Sequence, residues 1–126
     1  MNNLEDALQK AVVEVLRMSP DLRVCAIPNG GKRNTKEAAR MKGLGVLAGV
    51  SDLLVVWAPW KVAMIELKAP GKVTGKKRPL ASLSASQREW YDTMKEMGHY
   101  VAVCDSLDGV LNFLTACGAP VTARVL

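Results

Sequence analysis

The apolar positions of this chain recur with two different periods. Near the start, Leu4, Ala7, Leu8, Ala11, Val12, Val15 and Leu16 fall three or four apart, the spacing of one helical face. Asn2 or Asn3 can cap that helix, which is expected to run to about Met18. At about 100° per residue, Asp6, Lys10, Glu14 and Arg17 point away from the stripe, whereas Glu5 and Gln9 fall on its shoulder. Ser19-Pro20-Asp21 ends the helix, 22–27 reads as a short strand, and Pro28-Asn29-Gly30-Gly31 as a turn. Asn34 with Glu37 fits a capping box that opens a helix stopping before Gly43. Two apolar runs follow, 53–57 and 62–67, separated by Ala58-Pro59-Trp60-Lys61. Rich in Val, Ile and Leu, they read as the buried strands of a hairpin. Ser84 with Gln87 fits a second capping box, with Gln87, Trp90, Met94 and Met97 on one face of the helix it opens. A strand over 100–104 and a helix capped by Ser106 and stopped by Gly118 complete the pattern. The order α-β-α-β-β-α-β-α predicts an α/β fold, a mixed β-sheet flanked by helices. No repeat or linker divides it, so one domain is expected over 1–118, with an unassigned tail over 119–126.

The hairpin gathers the charges that matter. Folded antiparallel about Pro59, it places Asp52 opposite Glu66 or Leu67, with opposed Cβ atoms roughly 4.5–5.5 Å apart. Glu66 and Lys68 are two apart and share a strand face. Neighbouring carboxylates repel unless a proton or cation lies between them. Hard oxygen ligands in an adjacent pair suit Mg²⁺ or Mn²⁺, with water and substrate phosphate completing the shell. The Leu67 carbonyl offers a further oxygen. Lys68 can position or deprotonate an attacking water and stabilise the anion that forms. Glu5 is either a further ligand for these acids or an N-terminal helix acid favoured by the macrodipole. Gln87 is either only a capping residue or an amide that also reaches the site.

Composition narrows the partners. The net charge is +5, and it is clustered. Lys32, Arg33, Lys36, Arg40 and Lys42 precede the hairpin; Lys68, Lys72, Lys76, Lys77 and Arg78 follow it. Basic segments beside an acidic pocket suit a polyanion that must also meet a metal, although either cluster alone also reads as a solvated surface. The Pro/Gly/Lys-rich stretch 70–79 is expected to be a mobile loop near the site, and the Asn29-Gly30 turn can bring backbone N–H groups to a phosphate. Gly43, Gly45 and Gly49 precede a strand and carry no Gly-Lys-Ser/Thr, which excludes a nucleotide-cofactor loop. Cys25, Cys104 and Cys117 lie in apolar surroundings without a CxxC pair and are expected to be buried, reduced thiols. His99, beside a helix end, reads as structural. No apolar run reaches the ~18 residues of a membrane span, and no signal peptide is evident. A cytoplasmic protein is expected, in a bacterium or a phage-infected host.

Asp52, a spacer, then Glu66-Leu67-Lys68 resembles the PD-(D/E)xK nuclease superfamily. The ordered set is more specific: Glu5-x-x-x-Gln9, Pro28-Asn29-Gly30-Gly31, Gly49-Val50-Ser51-Asp52-Leu53-Leu54, Ile65-Glu66-Leu67-Lys68 and Leu83-Ser84-x-x-Gln87. Gly98 follows, before the last strand. Together these resemble the virus-type replication-repair nuclease (VRR-NUC) family over about residues 4–114. The resemblance implies a restriction-endonuclease-like core and Mg²⁺- or Mn²⁺-dependent cleavage of DNA. It implies Asp52, Glu66 and Glu5 as metal-binding acids, Lys68 as the catalytic lysine and Gln87 as a glutamine of the site. Asn29, Gly30, Lys32, Arg33, Lys36, Arg40, Lys72, Lys76, Lys77 and Arg78 are the expected DNA contacts. Ser51 departs from the pattern, which usually has Pro before the Asp. Stand-alone members of the family imply a homodimer acting on branched DNA such as four-way (Holliday) junctions. Flap or single-strand cleavage, and an idle DNA-binding scaffold with the same fold, are the alternatives.

Overall fold

The computed structural model describes residues 3–28 and 34–123. The expected contacts Asn29, Gly30, Lys32 and Arg33 lie outside the described residues. The order runs α1 (Asn3–Leu16), β1 (Leu22–Ala26), α2 (Thr35–Gly43), β2 (Leu53–Trp57), β3 (Lys61–Leu67), α3 (Ala85–Glu96), β4 (Tyr100–Cys104) and α4 (Leu107–Ala116). The strands form one sheet in the order β1-β2-β3-β4. The first three are antiparallel, and β4 lies parallel to β3. The crossover between β3 and β4 contains α3, as a parallel pair requires.

Strand alternation divides the sheet into two faces. Val24, Val55 and Ala63 lie in register across one face, as do Leu53, Ile65 and Ala102. There they join Val12 and Leu16 of α1 and Val110, Leu111 and Leu114 of α4 in one core. Trp57 stacks on Tyr100 with ring centroids 6.1 Å apart. On the other face α3 packs against β4, where Met64 and Val101 are buried. The rest of that face, with Arg23, Cys25, Val56 and Val62, stays exposed.

Several local expectations change. The first helix ends at Leu16, so Met18 is exposed beyond it, and Leu4 is 60% exposed although it continues the stripe. The first strand ends at Ala26, but Ile27 N–H still donates to Asp52 O at 2.8 Å. Cys25 is exposed, because alternation turns it to the uncovered face; Cys104 is buried and Cys117 partly so. Burial pushes the Cys104 thiol up to about 12, with the Asp105 charge adding to it. Met97 follows α3 and is exposed, and none of α3's residues is fully buried. Residues 119–123 have no helix or strand, yet Ala119 and Val121 belong to the core. Thr122 N–H donates to the buried Ser19 Oγ at 2.9 Å. No helix among the described residues is long and apolar enough to cross a membrane.

Candidate active site

The hairpin register runs Leu53 to Ile65 and Trp57 to Lys61. One further step sets Asp52 across from Glu66, at the end of the strands away from the turn. Asp52 is held on both sides. Its Oδ2 accepts the Leu67 N–H at 2.7 Å, and its backbone oxygen takes Ile27 N–H as above. The Leu67 backbone therefore meets Asp52 through its N–H.

Glu66 is 6% exposed, and a lone carboxylate there would be costly. Its carboxyl is pushed up to about 9, first by burial, then by a hydrogen bond with Asp52 and by the Asp52 charge. Lys68 opposes the shift and Glu5 adds to it. At neutral pH Glu66 thus keeps its proton beside the Asp52 side chain. Glu5 reaches the pair through its field; among the described residues, no three acidic, His or Cys side chains stand close enough to form a metal cluster.

Gln87 carries out both of the roles open to it. Its Oε1 accepts the Ser84 N–H at 2.9 Å, completing the α3 capping box. The same oxygen accepts Lys68 Nζ at 2.9 Å, and its Nε2 lies 3.5 Å from Glu66 Oε2. A helix cap thus holds the ammonium beside the carboxyl pair. Asp52, Glu66, Lys68 and Gln87 form one constellation, assembled from β3, the entry to β2 and the start of α3.

The basic residues are carried on two separate segments. Lys36 and Arg40 are exposed on α2, whose first turn is capped by Asn34 Oδ1 accepting Glu37 N–H at 2.7 Å. Lys72, Lys76, Lys77 and Arg78 are exposed on the long connection between β3 and α3. That connection is pinned, where the sequence suggests mobility. Asp105 Oδ2 accepts N–H groups of Gly71 at 3.1 Å, Val73 at 2.9 Å and Thr74 at 2.8 Å. Its Oδ1 accepts the Thr74 hydroxyl. Burial raises the Asp105 carboxyl, but the hydrogen bonds from Thr74, Val73 and Gly71 outweigh it, and the net shift is downward. Asp105 is invisible to pattern reading: an acid between an apolar strand and a helix cap looks like a turn residue. Ser51 is buried and accepts the Trp90 indole N–H at 3.1 Å.

Two acids and a lysine at the end of a mixed-sheet hairpin, beneath a capped helix, define a nuclease-type α/β architecture. The VRR-NUC domain family matches residues 3–108, and the chain belongs to that family. A solved structure titled "VRR_NUC domain protein" superposes with a TM-score of 0.63 at 20% identity, covering 92% of this chain and 88% of that one. That likeness concerns the fold. No curated protein matches the chain.

Proposed function

We propose that this protein is a metal-dependent, structure-selective DNA endonuclease. The observation that carries the reading is the pairing of Asp52 with the buried Glu66 across the hairpin, with Lys68 held beside them by Gln87. Two neighbouring carboxylates that cannot both ionise are a site where a divalent cation can replace a proton. The donor set fits Mg²⁺ or Mn²⁺, which take one or two carboxylates and complete their shell with water and phosphate. Asp52 and Glu66 would hold the ion, the Leu67 carbonyl would add an oxygen, and Glu5 would add negative potential or a water-mediated contact. When bound, such an ion lowers the pKa of a water and neutralises charge developing on a phosphoryl oxygen. The chain's own residues do the rest. Leu67 N–H fixes the Asp52 carboxylate, and Gln87 Oε1 fixes the Lys68 ammonium. Lys68 is then placed to orient an attacking water and to stabilise the anion that forms.

Branched DNA, with four-way junctions foremost, is the proposed substrate, and a homodimer the proposed form, since two symmetric sites can meet two strands. The exposed sheet face carrying Val56 and Val62, beside the 91%-exposed Trp60, supports a self-association surface. The basic α2 and the β3–α3 connection are the proposed backbone contacts. The test is a cleavage panel of junction, flap, single-stranded and duplex DNA with Mg²⁺ or Mn²⁺, with solution mass measured alongside. Junction cleavage is expected, lost by roughly 100-fold or more in Asp52→Asn and Lys68→Ala, with fold and most DNA affinity kept. Uncut DNA throughout the panel would refute the reading.

A further inference from the structure

α3 supplies Gln87, yet none of its residues is fully buried, and its main packing against the sheet is on β4. A helix so lightly embedded needs some other contact to fix its first turn to within the tolerance of a catalytic hydrogen bond. Two contacts do this, and both come from the segment that leads into Asp52. Gly49, at φ +89°, lies flat against the start of α3: a Cβ there would stand 2.3 Å from Ser86 O and 2.8 Å from Gln87 N. Only glycine permits that approach, and only glycine takes that backbone angle without strain. Two residues later Ser51, 1% exposed, accepts the Trp90 indole N–H at 3.1 Å. Trp90 lies one turn beyond Gln87 on α3. A cleft of about 330 Å³ opens beside this contact, lined by Leu47, Ala48, Ser86, Trp90, Thr93 and Met94 among others.

We infer that Gly49, Ser51 and Trp90 form a latch that positions Gln87, and through it Lys68, over the Asp52–Glu66 pair. The latch and the acid share one short segment. A displacement of α3 relative to β2 would therefore change the spacing between Lys68 and Asp52 directly. The indole is received by the Ser51 hydroxyl oxygen, which an alanine would lack. The inference rests on the nuclease reading for its catalytic consequence, but not for its geometry.

The test uses Ser51→Ala, which removes the acceptor, and Trp90→Phe, which keeps the ring and removes the donor. The first readout is independent of activity: the NMR signals of the Gln87 side-chain amide, and hydrogen exchange at the Gln87 backbone amide. Both variants are expected to shift the side-chain signal and speed exchange at Gln87, while amides of β2 and β3 remain protected. Gly49→Ala is expected to do the same more strongly. An unchanged Gln87 amide in both latch variants would overturn the latch. The second readout is cleavage with Mn²⁺. A fall of about tenfold in kcat with KM nearly unchanged is expected, since small misplacements of positioned groups reach 100-fold. If the latch acts through Gln87, the double variant Ser51→Ala/Gln87→Ala is no slower than Gln87→Ala. Losses that multiply would show that Ser51 acts by another route. A wild-type protein that cuts nothing would fail the nuclease reading, while the amide signals would still decide the latch.

Discussion

Glu66 shows how one residue can link stability to chemistry. Its folded pKa of about 9 stands above its ordinary 4.5, with burial the largest cause and Asp52 next. Between those values the folded protein holds a proton that the unfolded chain has lost. The stabilisation from this group is therefore complete below about 4.5 and is lost as pH rises through about 9. In EDTA, the wild-type Tm is expected to decline across that window. Glu66→Gln, an amide shaped like the neutral acid, should flatten the decline and raise Tm near its alkaline end. A variant whose Tm tracks wild type at every pH would contradict the assignment. The same proton competes with a metal, so the Mn²⁺-induced rise in Tm should grow with pH over the window. It should disappear in Asp52→Asn.

The elements most legible in the sequence are those whose evidence is local. The hairpin follows from two apolar runs about Pro59, which narrow the partner of Asp52 to Glu66 or Leu67 without any distant information; the register of the folded strands selects Glu66. The Ser84–Gln87 capping box is likewise written within four residues, and so is the Ser106 cap of α4. What was not legible depends on pairs far apart in the chain. Trp90 reads as one more member of a helical stripe, and its indole finds Ser51 only after the sheet has formed. Asp105 is separated by more than thirty positions from Gly71, Val73 and Thr74. Nothing in its neighbourhood announces that a loop will fold onto it. That loop is the element with the sharpest consequence. Asp105→Ala removes the acceptor for three backbone N–H groups and should cost about 1–3 kcal/mol in urea denaturation, partly relieved by water. Its lowered carboxyl gives stability that is present above the ordinary carboxylate pKa and lost as pH falls through the folded one. Asp105→Asn should therefore lack that acid limb. Limited proteolysis should cut both variants between β3 and α3 sooner than wild type; equal cutting would show that the loop is held by something else.

At the scale of the whole molecule the charges are sorted. Glu66 is buried and Asp52 half-buried at the end of the sheet, while the cations of α2 and the β3–α3 connection are exposed. Such a layout attracts a polyanion over a broad surface and admits it to the acids only where a cation has replaced their proton. Binding and cutting should therefore separate by mutation. Each phosphate neutralised by a cation adds about 0.9 to the slope of log affinity against log salt on duplex DNA. Replacing Lys72, Lys76, Lys77 and Arg78 together by Ala should weaken DNA binding steeply at low salt. It should also make the slope shallower by up to about 3.6, four times that increment, if all four meet phosphates. Mn²⁺ binding, measured by calorimetry in the absence of DNA, should stay at its wild-type value, because none of the four touches the carboxyl pair. Asp52→Asn should do the reverse, leaving the salt slope intact while Mn²⁺ binding falls. If the fourfold variant binds DNA with an unchanged slope, the connection does not hold the phosphate backbone. The pinning by Asp105 would then serve the fold alone.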